Sequence, residues 1–214
     1  MTEKIDVREI ISKIKEGPFK AREITKKETH EKSKEIKDEA WKFGEKIIKE
    51  IGIAFFQYPP AKKYPLFSKE FMLLGVLYTE IVKTYQNAFR LAEEGYYRSA
   101  FGELRDLLEQ IMKIKLFYEE ISLFKKWVKD ANVLYTTKEL RKTDLFKNAG
   151  LNEKIANLSN ALSNNRHSSF ATLDANGPVN TNVSYYRKDL FEKWCKHLIL
   201  LSELSSEIID IKPK

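Results

Sequence analysis

Apolar positions recur along this chain at intervals of three and four residues, the period of a helix buried on one face. The clearest run is Phe71, Leu74, Gly75, Tyr78, Ile81, Val82, Tyr85, Ala88, Phe89 and Ala92, which follows a Ser68 cap and stops at Gly95. A second run begins at once with Tyr97, Ala100, Phe101, Leu104, Leu107, Leu108, Ile111, Ile114 and Tyr118. One glycine between two long runs predicts an antiparallel pair of helices at about 69–93 and 96–119. No segment alternates at period two for long enough to be a strand.

The flanking segments carry the same period more weakly. Thr2 is a helix cap ahead of Val7, Ile10, Ile11 and Ile14, and Gly17-Pro18 ends that turn of chain. From Phe19 to Ile51 the pattern predicts a long helix in two halves. Residues 20–39 hold seven basic and six acidic side chains, with only Ala21, Ile24 and Ile36 apolar. That half is expected to be a solvated helix or a frayed arm. From Ala40 the stripe widens through Phe43, Ile47 and Ile51, so the second half is expected to dock on a core. Tyr58-Pro59-Pro60 and Tyr64-Pro65 mark a stiff connection. Beyond the hairpin, helices are expected at about 122–133, 138–148, 153–163 and 185–210, with the stretch 164–184 aperiodic. The fold class is therefore all-α. It is a helical bundle built on the hairpin, with a long C-terminal helix and a charged N-terminal one. Residues 1–52 read as N-terminal helices forming a partly solvated arm, and 68–211 as the bundle.

Composition narrows the function classes. A single cysteine, Cys195, excludes a disulfide scaffold and a cysteine zinc cluster. Three histidines (His30, His167 and His197) leave little for a metal site, and no metal or cofactor is expected. The formal charge is +7, carried by 30 lysines and only eight arginines. A net positive chain favours an RNA or other polyanion partner, although the lysine bias lacks the arginine forks typical of base readers. The opening MTEKIDVREI is charged and has no apolar signal core. No window approaches about 18 apolar residues, so no membrane span and a cytoplasmic location are expected. No glycine-rich phosphate loop and no Gly-x-Ser-x-Gly elbow is present, which argues against nucleotide hydrolysis and triad hydrolases.

Two places could carry chemistry. Aperiodic stretches longer than about 12–15 residues are uncommon inside compact domains, which singles out 164–184. Nine of the eleven asparagines fall between 148 and 182. Here Ser163-Asn164-Asn165-Arg166-His167-Ser168 joins a fixed cation to a side chain that titrates near neutrality, a pairing able to grip and process a phosphodiester. The other place is the second hairpin helix. Beside its apolar face runs the stripe Arg98, Gly102, Arg105, Glu109, Met112 and Leu116. Arg105 and Glu109 are i,i+4 neighbours there, expected to pair at the margin of the core as a structural strut or as part of a polar pocket.

The segment Gly95-Tyr-Tyr-Arg-Ser-Ala-Phe-Gly-Glu-Leu-Arg105-Asp-Leu-Leu-Glu109, followed by Leu162-Ser163-Asn-Asn-Arg-His167-Ser168, resembles the HEPN superfamily of helical bundles. The resemblance covers about 95–118 and 158–205. Many members of that group are RNases of toxin–antitoxin, CRISPR and antiphage systems that use an arginine and a histidine four to six residues later. Here Arg166 and His167 are adjacent, so the arginine is expected from the hairpin, Arg105 or Arg98.

Two functions follow as expectations. In one, the protein acts on or binds RNA as a metal-independent endoribonuclease of defence or toxin type. His167 is then the general acid or base, Arg105 and Arg166 hold the phosphate, and Glu109 orients Arg105. Arg98, Asn165 and Ser163 complete the binding set, and the site forms across a homodimer. In the other, the protein is a non-enzymatic scaffold or regulatory binder. The basic block 122–150 or the charged helix 20–39 then meets a protein partner, and Arg105, Glu109 and His167 form a buried polar network.

Overall fold

A computed structural model of the chain describes residues 17–57, 64–65, 67–130, 136–167 and 186–212. The helix expected around Val7–Ile14 and almost all of the aperiodic stretch lie outside the described residues, as does Pro59-Pro60. Among the described residues there are nine α-helices and no strand. They are α1 (Pro18–Lys32), α2 (Lys34–Gly52), α3 (Lys69–Glu93), α4 (Tyr97–Glu119), α5 (Ile121–Lys129), α6 (Thr137–Leu140), α7 (Asp144–Asn148), α8 (Asn152–His167) and α9 (Lys188–Ile209). A π-helical turn, Ile53–Gln57, extends α2.

The hairpin α3/α4 forms where the pattern places it. Ser68 Oγ accepts from Phe71 N–H (3.2 Å) and starts α3. At its end Gly95 takes φ 81°, Gly95 N–H donates to Ala92 O (3.1 Å) and Tyr96 N–H to Leu91 O (2.8 Å). This is a Schellman reversal, which requires a left-handed residue and so suits glycine. The reversal lays α4 along α3, and α2, α8 and α9 pack around the pair. α4 is the spine: Ala100, Leu104, Leu107, Leu108, Ile111, Met112, Ile114, Leu116 and Phe117 are fully buried, and Phe101 is 2% exposed. α9 supplies Phe191, Trp194, Leu198, Leu201 and Ile208 to the same core.

The charged N-terminal helix is solvated on one face and docked on the other. α1 docks through Ala21, Thr25, Thr29 and Ser33, four small residues at i,i+4 spacing that are 5% exposed or less. Thr29 Oγ1 donates to Thr25 O (2.9 Å) and approaches Glu93 O (3.1 Å), while Arg22 pairs with Glu94 at 2.6 Å. The expected continuous helix breaks at Ser33, whose φ of −134° is non-helical and whose hydroxyl meets Tyr186 Oη at 2.7 Å. Other boundaries move for local reasons. The element expected at 138–148 divides into α6 and α7, because Thr143 turns out of helix and its Oγ1 donates to Leu140 O (2.7 Å). The helix expected at 153–163 continues to His167, so Ser163, Asn165, Arg166 and His167 belong to a helical last turn rather than to a loop.

Candidate functional site

The position of Arg105 follows from what occupies the other sides of α4. Gln110 Nε2 donates to Thr84 Oγ1 (3.0 Å), which marks the side facing α3. The Phe101 ring meets His197 edge-on (5.5 Å), and Lys115 Nζ donates to Ile209 O (3.0 Å), which marks the side facing α9. Glu109 Oε2 accepts from Thr137 N–H and Oγ1 (3.3 and 3.4 Å), which marks the side facing α6. At 100° per residue, Arg105 falls between the α9 and α6 sides, on the stripe with buried Met112 and Leu116. That sector is left for α8, which packs on α4.

α8 runs antiparallel to α4. Lys154, in its first turn, pairs with Glu207 (2.7 Å) near the end of α9, and the end of α9 meets Lys115 near the end of α4. Sixteen residues of helix then carry α8 back by about 24 Å. Its last turn, with Ser163 and Asn165, therefore lies at the end of the bundle that holds Arg98 and Arg105. Asn165 Nδ2 donates to Ala161 O (2.8 Å) on its own helix. Arg98 is exposed and Arg105 half-buried. The side chains of Arg166 and His167 lie outside the described part of the chain.

Arg105 and Glu109 do not pair. Glu109 Oε1 accepts from Lys113 Nζ (2.7 Å), and its other oxygen is held by Thr137. Lys113 and the N–H and hydroxyl of Thr137 reach the carboxylate ahead of the guanidinium, so Glu109 forms a strut with Lys113 and Thr137 in place of the expected pair with Arg105. Arg105 Nε is buried and has no hydrogen-bond partner. A buried donor left unmade costs about 1–3 kcal/mol, and more when charged.

The remaining titratable candidates are structural. His197 Nδ1 lies 2.7 Å from Lys193 O, and burial holds its pKa below the ordinary value. Burial pushes the Cys195 thiol up to about 12, so it stays protonated. The sequence pattern gave no sign of a cleft of about 660 Å³ at the opposite end of the bundle, lined by Glu119, Glu120, Asp144, Glu207 and Asp210. Its residues come from α4, α7 and α9, with no spacing in sequence to reveal them. Among the described residues no group of three or more His, Cys, Asp or Glu is arranged to hold a metal ion, and no helix is long and apolar enough to cross a membrane.

No family model, curated protein or solved structure matches this chain.

Proposed function

We propose that this is an RNA-directed helical protein that holds a phosphodiester at the α4/α8 end of the bundle, in the manner the HEPN resemblance implies. One observation carries the reading: Arg105 keeps a buried guanidinium nitrogen without a partner, while the carboxylate one turn away is taken by other groups. Guanidinium donors suit phosphate oxygens, and a bound phosphate supplies the acceptor that the protein withholds. Arg98, Ser163, Asn165 and Arg166 belong to the same end and complete the binding set. In the endoribonuclease form of the reading, His167 moves the proton on the 2′-hydroxyl or the leaving oxygen, and Glu109 acts on Arg105 only through the α6 docking it secures. A homodimer, a defence or toxin role and a cytoplasmic setting belong to this same proposal.

The test pairs binding with cleavage on single-stranded RNA. Arg105→Ala should weaken binding roughly 10- to 150-fold, the loss of a charged hydrogen bond. His167→Ala should bind normally and cleave about 10²- to 10⁴-fold more slowly. Wild-type binding by Arg105→Ala refutes the reading. Binding without any cleavage by the wild type leaves the non-enzymatic form, which the commitment of Glu109 to Lys113 and Thr137 favours as a purely structural arrangement.

A further inference from the structure

Positive charge is concentrated on one part of the bundle. Residues 121–130 and 136–150, which form α5, α6 and α7, carry seven basic side chains against three acidic ones, a net +4 in a chain of net +7. Lys125 pairs with Glu70 at 3.4 Å. Lys126, Lys129, Lys138, Lys142 and Lys147 are all exposed, and among the described residues none of them has a carboxylate oxygen within 4 Å.

These helices are mounted along a line that starts at the candidate site. Arg105, Glu109, Lys113 and Phe117 form a single i,i+4 ridge of α4. Thr137 of α6 is bonded to Glu109, Lys113 is bonded to Glu109, and Phe124 of α5 stacks on Phe117 at 5.1 Å. The ridge spans about 18 Å from Arg105 to Phe117. Lys138 of α6 and then Lys126 and Lys129 of α5 are therefore set out in order away from Arg105, and α7, with Lys147, follows α6 toward the end of the bundle where its Asp144 lines the acidic cleft.

The chemistry of the face fits a nucleic-acid backbone better than a folded protein. Protein interfaces are centred on apolar and aromatic anchors. The large exposed apolar residues, among them Phe67, Met72, Val76 and Leu200, all lie on other parts of the chain and none on α5–α7. Lysine is a mobile point charge that contacts phosphate without reading bases. We infer that the α5–α7 face is a sequence-independent docking surface for the RNA backbone, leading a strand toward Arg105. The inference rests on the RNA reading above and adds to it where the strand lies.

The test is a five-site variant, Lys126, Lys129, Lys138, Lys142 and Lys147 each to Gln, beside a control with Lys26, Lys34, Lys42, Lys49 and Lys69 each to Gln. The control changes the net charge equally at exposed positions on α1, α2 and α3. Binding of a single-stranded RNA of about 20 nucleotides is measured from about 50 to 250 mM KCl. Each lost phosphate contact lowers the salt slope by about 0.7. The face variant should therefore flatten the slope by about 2–3.5 and bind roughly 100-fold more weakly or worse near 0.1 M salt. The control should stay within about 3-fold of the wild type, and changing the base sequence should matter as little. Equal losses in both variants, or wild-type affinity in the face variant, overturn the inference. So does competition by poly-glutamate as strong as that by RNA. Failure of the wild type to bind any RNA refutes the RNA reading itself. Loss on Arg105→Ala with none in the face variant refutes only this surface.

Discussion

Gly44 lets α2 sit directly against Tyr85 of α3, and replacing it with alanine should unseat α2. The buried face of α2 is Ala40, Gly44, Ile47 and Ile51. Tyr85 of α3 crosses it at the glycine, where an ideal Cβ would overlap Cε2, Cζ and Oη of the phenol. The ring has little room to yield. It is 3% exposed, lies against Trp41 (5.6 Å) and Phe89 (6.2 Å), and its hydroxyl donates to Trp41 O at 3.2 Å. Overpacking of this kind costs about 1–3 kcal/mol, and displacing the hydroxyl loses about 1 more. The better helix propensity of alanine returns about 1 kcal/mol. The net expectation is a loss of about 1–3 kcal/mol, a fall in Tm of several degrees for a chain of this size. Gly75 provides the internal contrast, since an added Cβ there meets nothing within 4 Å. Gly75→Ala should stabilise α3 by about 0.5–1 kcal/mol. Thermal melts and urea titrations followed by far-UV circular dichroism read both variants. Equal behaviour of the two, or a Gly44→Ala protein as stable as the wild type, refutes the close-packing argument.

The α1 seam gives a second pair with opposite signs. Thr25 Oγ1 is fully buried without a partner, so the near-isosteric Thr25→Val should be neutral or stabilising by about 1 kcal/mol, whereas Thr29→Val removes the bond to Thr25 O and should cost about 1 kcal/mol. Matching urea midpoints for the two variants would contradict this. Alkaline pH supplies a third test. Burial raises Cys195 and Tyr64 to about 12 and Tyr85 further, so the fold favours their neutral forms. Their contribution is complete below the ordinary values of 9.0 and 10.0 and is lost as pH climbs toward about 12. The urea midpoint should therefore fall between about pH 9 and 11, and a flat or rising midpoint over that range goes against the assignment.

The sequence pattern reads best where burial is apolar. The hairpin α3/α4 lies within a residue or so of its expected limits because its stripes are long and Gly95 has one role, the left-handed reversal. The helix of α1 was legible, but its docking was hidden because its buried face is made largely of Thr25, Thr29 and Ser33, which hydrophobicity does not count. The last turn of α8 was hidden for a related reason: Asn and Ser are weak helix formers, and tertiary packing of residues such as Leu162 carries the helix on to His167. The stripe on α4 was legible, and so was the presence of Arg105 and Glu109 on it. Their partners were not, because Lys113 competes from the same helix and Thr137 arrives from an element 28 residues away.

The treatment of charge along α4 is what separates Arg105 from its neighbours. Lys115 and Glu119 are 5% and 8% exposed, and the fold answers their burial fully: they pair at 2.8 Å and Lys115 also caps Ile209 O at the end of α9. Glu109 is answered by Lys113 and by two donors of Thr137. Burying an ion costs several kcal/mol unless such partners are present, and the fold supplies them at each of these positions. At Arg105 it supplies none for Nε, although Glu109 is only one turn away. A residue serving only to fix helix register would gain from taking that carboxylate. The helix instead commits Glu109 to docking α6, and Arg105 Nε stays buried without a partner near the end of the bundle where α8 terminates. In the RNA reading proposed above, a bound phosphate is the partner that completes the pattern Lys115 and Glu109 already follow.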